Sequence, residues 1–144
     1  MASVFYNSFK LKSHDSSTKI NLASGGDTIK VALVTSSYTP NIDSHDFFDD
    51  ITNEVSSAGY TAGGATLGSQ TYTQNNTTDK AVFDAADTSW TGTTLVARGA
   101  VIYKSTGVAS TSPLICYIDF GTDYTTVGGT LAITWDSTGI FTLA

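Results

Sequence analysis

The sequence predicts an all-β fold, a single antiparallel β-sandwich of the jelly-roll or Greek-key kind with one short helix and an extended N-terminal arm. Three observations predict it. The chain has 144 residues, enough for one core and few for two. It is poor in charge and rich in Thr, Ser and Gly, with seven Tyr and seven Phe, a composition suited to short strands and tight turns. Apolar runs return at short, even intervals, and no helix long enough for a parallel crossover separates them.

Residues 1–19 carry scattered apolar side chains (Val4, Phe5, Tyr6, Phe9, Leu11) without a sustained period, and read as an arm ahead of a domain at 20–144. Lys10, Lys12 and Lys19 against Asp15 make it locally basic on an acidic protein. Two readings stand: an arm that orders on a partner surface, or a frayed terminus. From Asp27 the pattern sharpens, with Ile29, Val31 and Leu33 on one face of a strand and Lys30, Ala32 and Val34 on the other. Pro40, which has no amide donor, ends that segment in the turn Tyr38-Thr39-Pro40-Asn41. The best helical candidate is Asp43 to Ile51. Asp43 or Ser44 would be its cap, and Phe47, Phe48 and Ile51 its buried side, over one or two turns. Gly59, Gly63 and Gly64 around Tyr60 suggest a bent or bulged edge.

Further strands are expected at Lys80 to Asp84, Leu95 to Lys104, Leu114 to Phe120, Thr130 to Trp135 and Gly139 to Leu143. Gly107 to Pro113 can close one hairpin and Asp136-Ser137-Thr138-Gly139 another. The runs Leu95 to Tyr103 and Leu114 to Ile118 are apolar on both faces, so each second face needs cover, from a subunit interface or from the arm. Arg98, the only arginine, lies in such a run. Asp119 is its candidate partner, within one chain or across a trimer axis, and solvent is the alternative.

The chemistry-bearing residues are few. A net charge of −6 with seven Lys and Arg argues against nucleic acid as a partner. Cys116 is the sole cysteine, so no internal disulfide is available, and its apolar run makes it an inert core filler rather than a nucleophile. No apolar run reaches the roughly 18 residues of a membrane helix, and the first residues lack a signal peptide's pattern, so no membrane partner is expected. Asn75-Asn76-Thr77-Thr78 contains glycosylation-type triplets, which here mark only an exposed polar loop. His14 and His45 fit no metal spacing, Glu54 is the single glutamate, and no nucleophile elbow accompanies His45; neither an enzyme nor a cofactor is expected. The acids Asp43, Asp46, Asp49, Asp50 and Glu54 do not match an EF-hand, and read as a solvated helix start with an ion or a basic partner as the minority option. Tyr60, Tyr72, Trp90 and Trp135 would stack on sugars if exposed, though core is the ordinary place for them.

Asp27-Thr28-Ile29-Lys30-Val31-Ala32-Leu33-Val34-Thr35-Ser36-Ser37-Tyr38-Thr39-Pro40, then His45 to Asp50, Asn53-Glu54-Val55 and Gly59 to Gly64, resemble a widespread family of small tailed-phage virion proteins. Ser112-Pro113-Leu114-Ile115 and Tyr117 to Gly121 agree with it, so the resemblance runs through nearly the whole chain. Some members of that family resemble capsid cement proteins, which bind over the major capsid protein as trimers. The resemblance therefore implies a structural virion protein on the capsid exterior, assembled in the host cytoplasm, with the major capsid protein and its own copies as partners. It carries no catalytic residues. The expected contact residues are Phe5, Tyr6, Phe9, Lys10 and Lys12 in the arm and Arg98 in the strand. The alternative role is a tail-associated or carbohydrate-binding module.

Overall fold

The computed structural model describes residues 2–144, so Met1 of the expected arm lies outside them. Among these residues, eight strands form two antiparallel sheets. The larger contains β1 (Ala2–Phe5), β2 (Ile29–Val34), β3 (Ala65–Thr66), β6 (Thr88–Lys104) and β7 (Leu114–Ile133), in the order β1-β7-β6-β2-β3. The smaller contains β4 (Thr71–Asn75), β5 (Lys80–Asp84) and β8 (Phe141–Leu143), in the order β4-β5-β8. Together they make the all-β sandwich that composition and spacing predict.

The strand at β2 and the one at β5 lie where the apolar pattern places them, and β4, which is polar throughout, escapes that pattern altogether. The two long strands differ more. Leu114 to Phe120 and Thr130 to Trp135 are expected as separate strands, yet the first and the second as far as Ile133 belong to one strand, β7. Gly121 (φ 82°) and Gly128 (φ 60°) let the chain bulge and continue where another residue would force a turn. The pairing of β6 with β7 accordingly slips between Trp90 and Leu95 and between Ala97 and Gly99, then continues. The hairpin through Gly107 to Pro113 forms as expected, with a 3-10 turn at Ala109–Thr111.

The second expected hairpin does not form. The turn itself closes, with the Gly139 amide on the Asp136 carbonyl at 2.9 Å, but β8 leaves the larger sheet and pairs with β5. Packing decides this: Phe141 reaches Phe83 at 5.0 Å between ring centroids, and Trp135 is tied at its amide to Asp87 and at its indole N–H to the Ala86 carbonyl.

The main core lies between the sheets, where Ile29, Val31 and Leu33 meet Ile102, Ile115, Phe83, Phe141, Trp90 and Trp135. The opposite face of β2, β6 and β7 carries a second core of Tyr6, Ala32, Val34, Tyr38, Val101, Tyr103, Leu114 and Tyr117. The cover that these two-sided strands require comes from the same chain. Ile42, Phe48 and Ile51 pack on this face, with the Phe48 ring stacked on Tyr103 at 4.1 Å. Two-sided apolarity therefore gives no argument for a subunit interface here.

The segment expected as a helix at Asp43 to Ile51 reduces to one 3-10 turn, Phe48–Asp50. Neither Asp43 nor Ser44 caps it; the Asp50 carboxylate accepts from the amides of Asp46 and Phe47 at 2.9 and 3.2 Å. The α-helix of the fold is instead α1 (Asn7–Lys12), inside the expected arm, with Lys10 and Lys12 in its last turn where the dipole favours cations. Gly59, Gly63 and Gly64 all have positive φ, as a bent edge requires. At Gly64 an added Cβ would overlap the Val31 carbonyl oxygen at 1.9 Å, so β3 meets β2 only because that position has no side chain.

Candidate functional site

The six expected contact residues scatter rather than converge. Tyr6 and Phe9 are buried, and Lys12 is 8 % exposed, so these three are not available on the surface of the folded chain. The reason is the anchoring of the N-terminal segment. β1 pairs antiparallel with β7, Ala2 opposite Asp119 and Phe5 opposite Cys116, and the Tyr6 amide continues the ladder to the Ile115 carbonyl at 3.1 Å. Phe5 stacks on Phe9 at 5.5 Å, and both rings meet Phe141 of the smaller sheet at 5.2 and 6.1 Å. The segment thus joins the two sheets and is no extended free arm. Lys12 places its ammonium 3.0 Å from Asp46 and 3.7 Å above the Phe47 ring. Lys10 is exposed and bonds Asn7.

Arg98 finds the partner the spacing proposes. Its Nε lies 3.0 Å from Asp119 Oδ1 within one chain, and Nη1 lies 3.9 Å from Asp123. The side chains of Arg98 and Asp119 are 35 % and 39 % exposed, so this is a surface pair and not the costly buried one that an apolar strand suggested. Bonding from the Gly121 amide, and then from Arg98, holds the Asp119 carboxyl below the ordinary carboxylate range.

Polar groups in the second core form a connected set. The Tyr6 and Tyr38 hydroxyls lie 2.8 Å apart, and the Tyr38 hydroxyl lies 3.0 Å from His45 Nδ1. Burial raises the Tyr6 phenol and pushes Tyr38 up to about 12. Nearby, Glu54 Oε1 accepts from the Tyr60 hydroxyl and the Gly63 amide, both at 2.6 Å. The Tyr103 hydroxyl donates to the Gly63 carbonyl at 2.6 Å, and burial and then the Glu54 charge push Tyr103 up to about 12. These groups hold loops to sheets, and the raised phenols of Tyr6, Tyr38, Tyr60 and Tyr103 stay protonated across the neutral range.

Each acid of the segment 43–54 singled out for ion binding, apart from exposed Asp49, has a protein partner: Asp43 bonds Asn7, Asp46 bonds Lys12, Asp50 caps the turn and Glu54 ties the glycine bend. Among the described residues, no three His, Cys, Asp or Glu side chains group as a metal site, and no helix is long and apolar enough to cross a membrane. Cys116 is buried, and burial pushes its thiol up to about 12, so it is not poised as a nucleophile. Trp90 and Trp135 are buried, Tyr60 is half-buried with its hydroxyl engaged, and Tyr72 stands alone on β4.

The surface that the pattern did not reveal is the far half of the β6–β7 hairpin. Val127, Tyr124 and Val96 are 83 %, 53 % and 43 % exposed there, with Phe120 edge-on to Tyr124 at 5.8 Å. The only sequence signal for it is the uncharged stretch Tyr124-Thr125-Thr126-Val127-Gly128-Gly129. Compared with known proteins, the chain matches no family model, no curated protein and no solved structure.

Proposed function

We propose that this chain is a structural virion protein that binds the outer surface of a tailed-phage capsid and stabilises it, without catalysis, as a decoration or cement protein. One observation carries the proposal. The blocks that resemble the phage family interlock as one piece of scaffold, and no block stands apart as a chemical site. Asp27 to Pro40 holds β2 and Tyr38; His45 bonds Tyr38; Asp50 caps the covering turn; Glu54 ties Tyr60 and Gly63; and Asp119 bonds the Gly121 amide. A recurrent pattern made of such residues selects a rigid body, which is what a protein bracing neighbouring capsomers needs. The partners in this proposal are the major capsid protein and further copies of the chain, a trimer being the favoured state, on the capsid exterior of a particle assembled in the host cytoplasm.

Immunogold labelling of intact particles with antibody to this chain tests the proposal. Gold over the head is the expected result. Gold confined to the tail would replace it with the tail-associated role, and particles without gold would remove the virion altogether.

A further inference from the structure

Among the described residues, the β6–β7 hairpin projects beyond β1 and β2, and its β7 side is a long open edge. β1 covers β7 only as far as Asp119, and among the described residues no backbone group pairs with Phe120 to Ile133 on that side. The opposite flank of the same hairpin, Thr88 to Arg98 of β6, lies beyond β2 and is covered only at its middle, where the Thr94 amide bonds the Ala58 carbonyl at 3.2 Å and Gly59 packs against Gly92. Other edges of the fold are short: β3 has two residues, β8 three and β4 five. A long edge is ordinarily blunted by lysine, proline or a bulge. Here Phe120 to Ile133 contains no lysine and no proline, although bulges at 120–123 and 127–128 break it into two regular runs, 124–126 and 129–133.

Alongside this edge runs a groove of about 330 Å³, mostly apolar, lined only by β7 residues and Thr134, with Phe120, Tyr124, Leu131 and Ile133 among them. An unpaired backbone edge beside a side-chain groove is the arrangement by which sheets accept an added strand: main-chain hydrogen bonds supply affinity and alternate side chains enter the groove. The charges choose the occupant. From Phe120 to Asp136 the chain has Asp123 and Asp136 and no basic residue, and the neighbouring Arg98 is held 3.0 Å from Asp119 and 3.9 Å from Asp123, so the acids there outnumber it, whereas a second copy would bring the same acids and another net charge of −6.

We propose that the open edge of β7 from Phe120 to Ile133 is an acceptor for an extended, basic segment of a protein partner, which adds to the sheet as an outer strand. This does not rest on the capsid reading and survives if that reading fails. The test uses the full chain, isotopically labelled, with short synthetic peptides in which Lys alternates with Val and Tyr. Controls carry Glu in place of Lys, or N-methyl groups on alternate amides. The Lys peptide is expected to slow amide hydrogen exchange across Phe120 to Ile133 by roughly tenfold or more, a free-energy change within reach of a few added backbone bonds. The Glu and N-methylated peptides are expected to leave it unchanged. Tyr124→Lys and Thr130→Lys, accepted as folded if their thermal midpoints match the parent protein, are each expected to weaken binding of the Lys peptide by a similar factor. Protection elsewhere, equal binding of the N-methylated peptide or no binding would overturn the proposal. So would self-association of the chain that either lysine variant abolishes, because a second copy would then be the occupant.

Discussion

Residues 2–12 and the stretch Phe120 to Ile133 exchange the roles that their sequences suggest. The first is aperiodic and locally basic, the signature of a loose terminus, yet it supplies two core residues and joins the sheets through Phe5, Phe9 and Phe141. The second belongs to the longest strand of the fold, yet it leaves one backbone edge unpaired and Val127 and Tyr124 in solvent. Periodicity reports which side chains alternate between two environments. It is silent about a segment whose few aromatics are each placed individually, and equally silent about whether a strand's backbone has a neighbour.

Removing the first region should have the largest effect on this contrast. Deleting residues 2–12 strips β7 of its β1 partner and opens both cores, so the deleted chain is expected to lose its cooperative thermal transition and its near-ultraviolet circular dichroism. A deleted chain that still melts cooperatively would return the segment to the status of an arm. Phe9→Ala is the graded version. With Phe9 at 2 % exposure, a loss of about 3–4 kcal/mol is expected in chemical denaturation, as for other large-to-small changes in a packed interior. Tyr6→Phe keeps the ring and removes only the hydroxyl paired with Tyr38, for an expected cost of about 1 kcal/mol in the same measurement.

Smaller again is the ionic link at the start of the open stretch. Asp119 and Asp50 have carboxyls held below their ordinary range, the first chiefly by the Gly121 amide and then by Arg98, the second chiefly by the Asp46 amide. A depressed folded pKa contributes stability that is present above the unfolded value near about 4 and is lost as pH falls through the folded value. Thermal midpoints should therefore fall below about pH 4, and Asp119→Asn and Asp50→Asn should each flatten that fall. Arg98→Met and Asp119→Leu are each expected to lower the midpoint slightly, less so in high salt, with the double variant showing less than the sum. The smallest effect belongs to the second region: Val127→Thr, at a side chain 83 % exposed, should change stability by less than about 0.5 kcal/mol. A large loss there would mean that the exposed stretch is already covered in solution.

Much of the fold was legible in the chain. The runs around Ile29 to Val34 and Lys80 to Asp84 are strands, the glycines at 59, 63 and 64 make a bent edge, Cys116 is core, and Arg98 pairs with Asp119. Local chemistry suffices for these: alternation, absence of a Cβ, burial within an apolar run, and two opposite charges brought together by one hairpin. Of the expected contact residues, only Lys10 stands in solvent and Arg98 at the surface, with Phe5 half-buried, because nothing local distinguishes an aromatic that waits for a partner from one that fills its own core.

Composition and pattern by themselves determined an all-β sandwich, its two-sided strands and its dependence on backbone turns at glycine. Only the tertiary structure decided what covers the second face, which sheet receives β8, that Gly121 and Gly128 bulge one strand where two were expected, and which edge stays open. Those outcomes depend on contacts between residues far apart in sequence, such as Phe48 on Tyr103 and Phe5 on Phe141, whose free energy is realised only when the whole chain has closed.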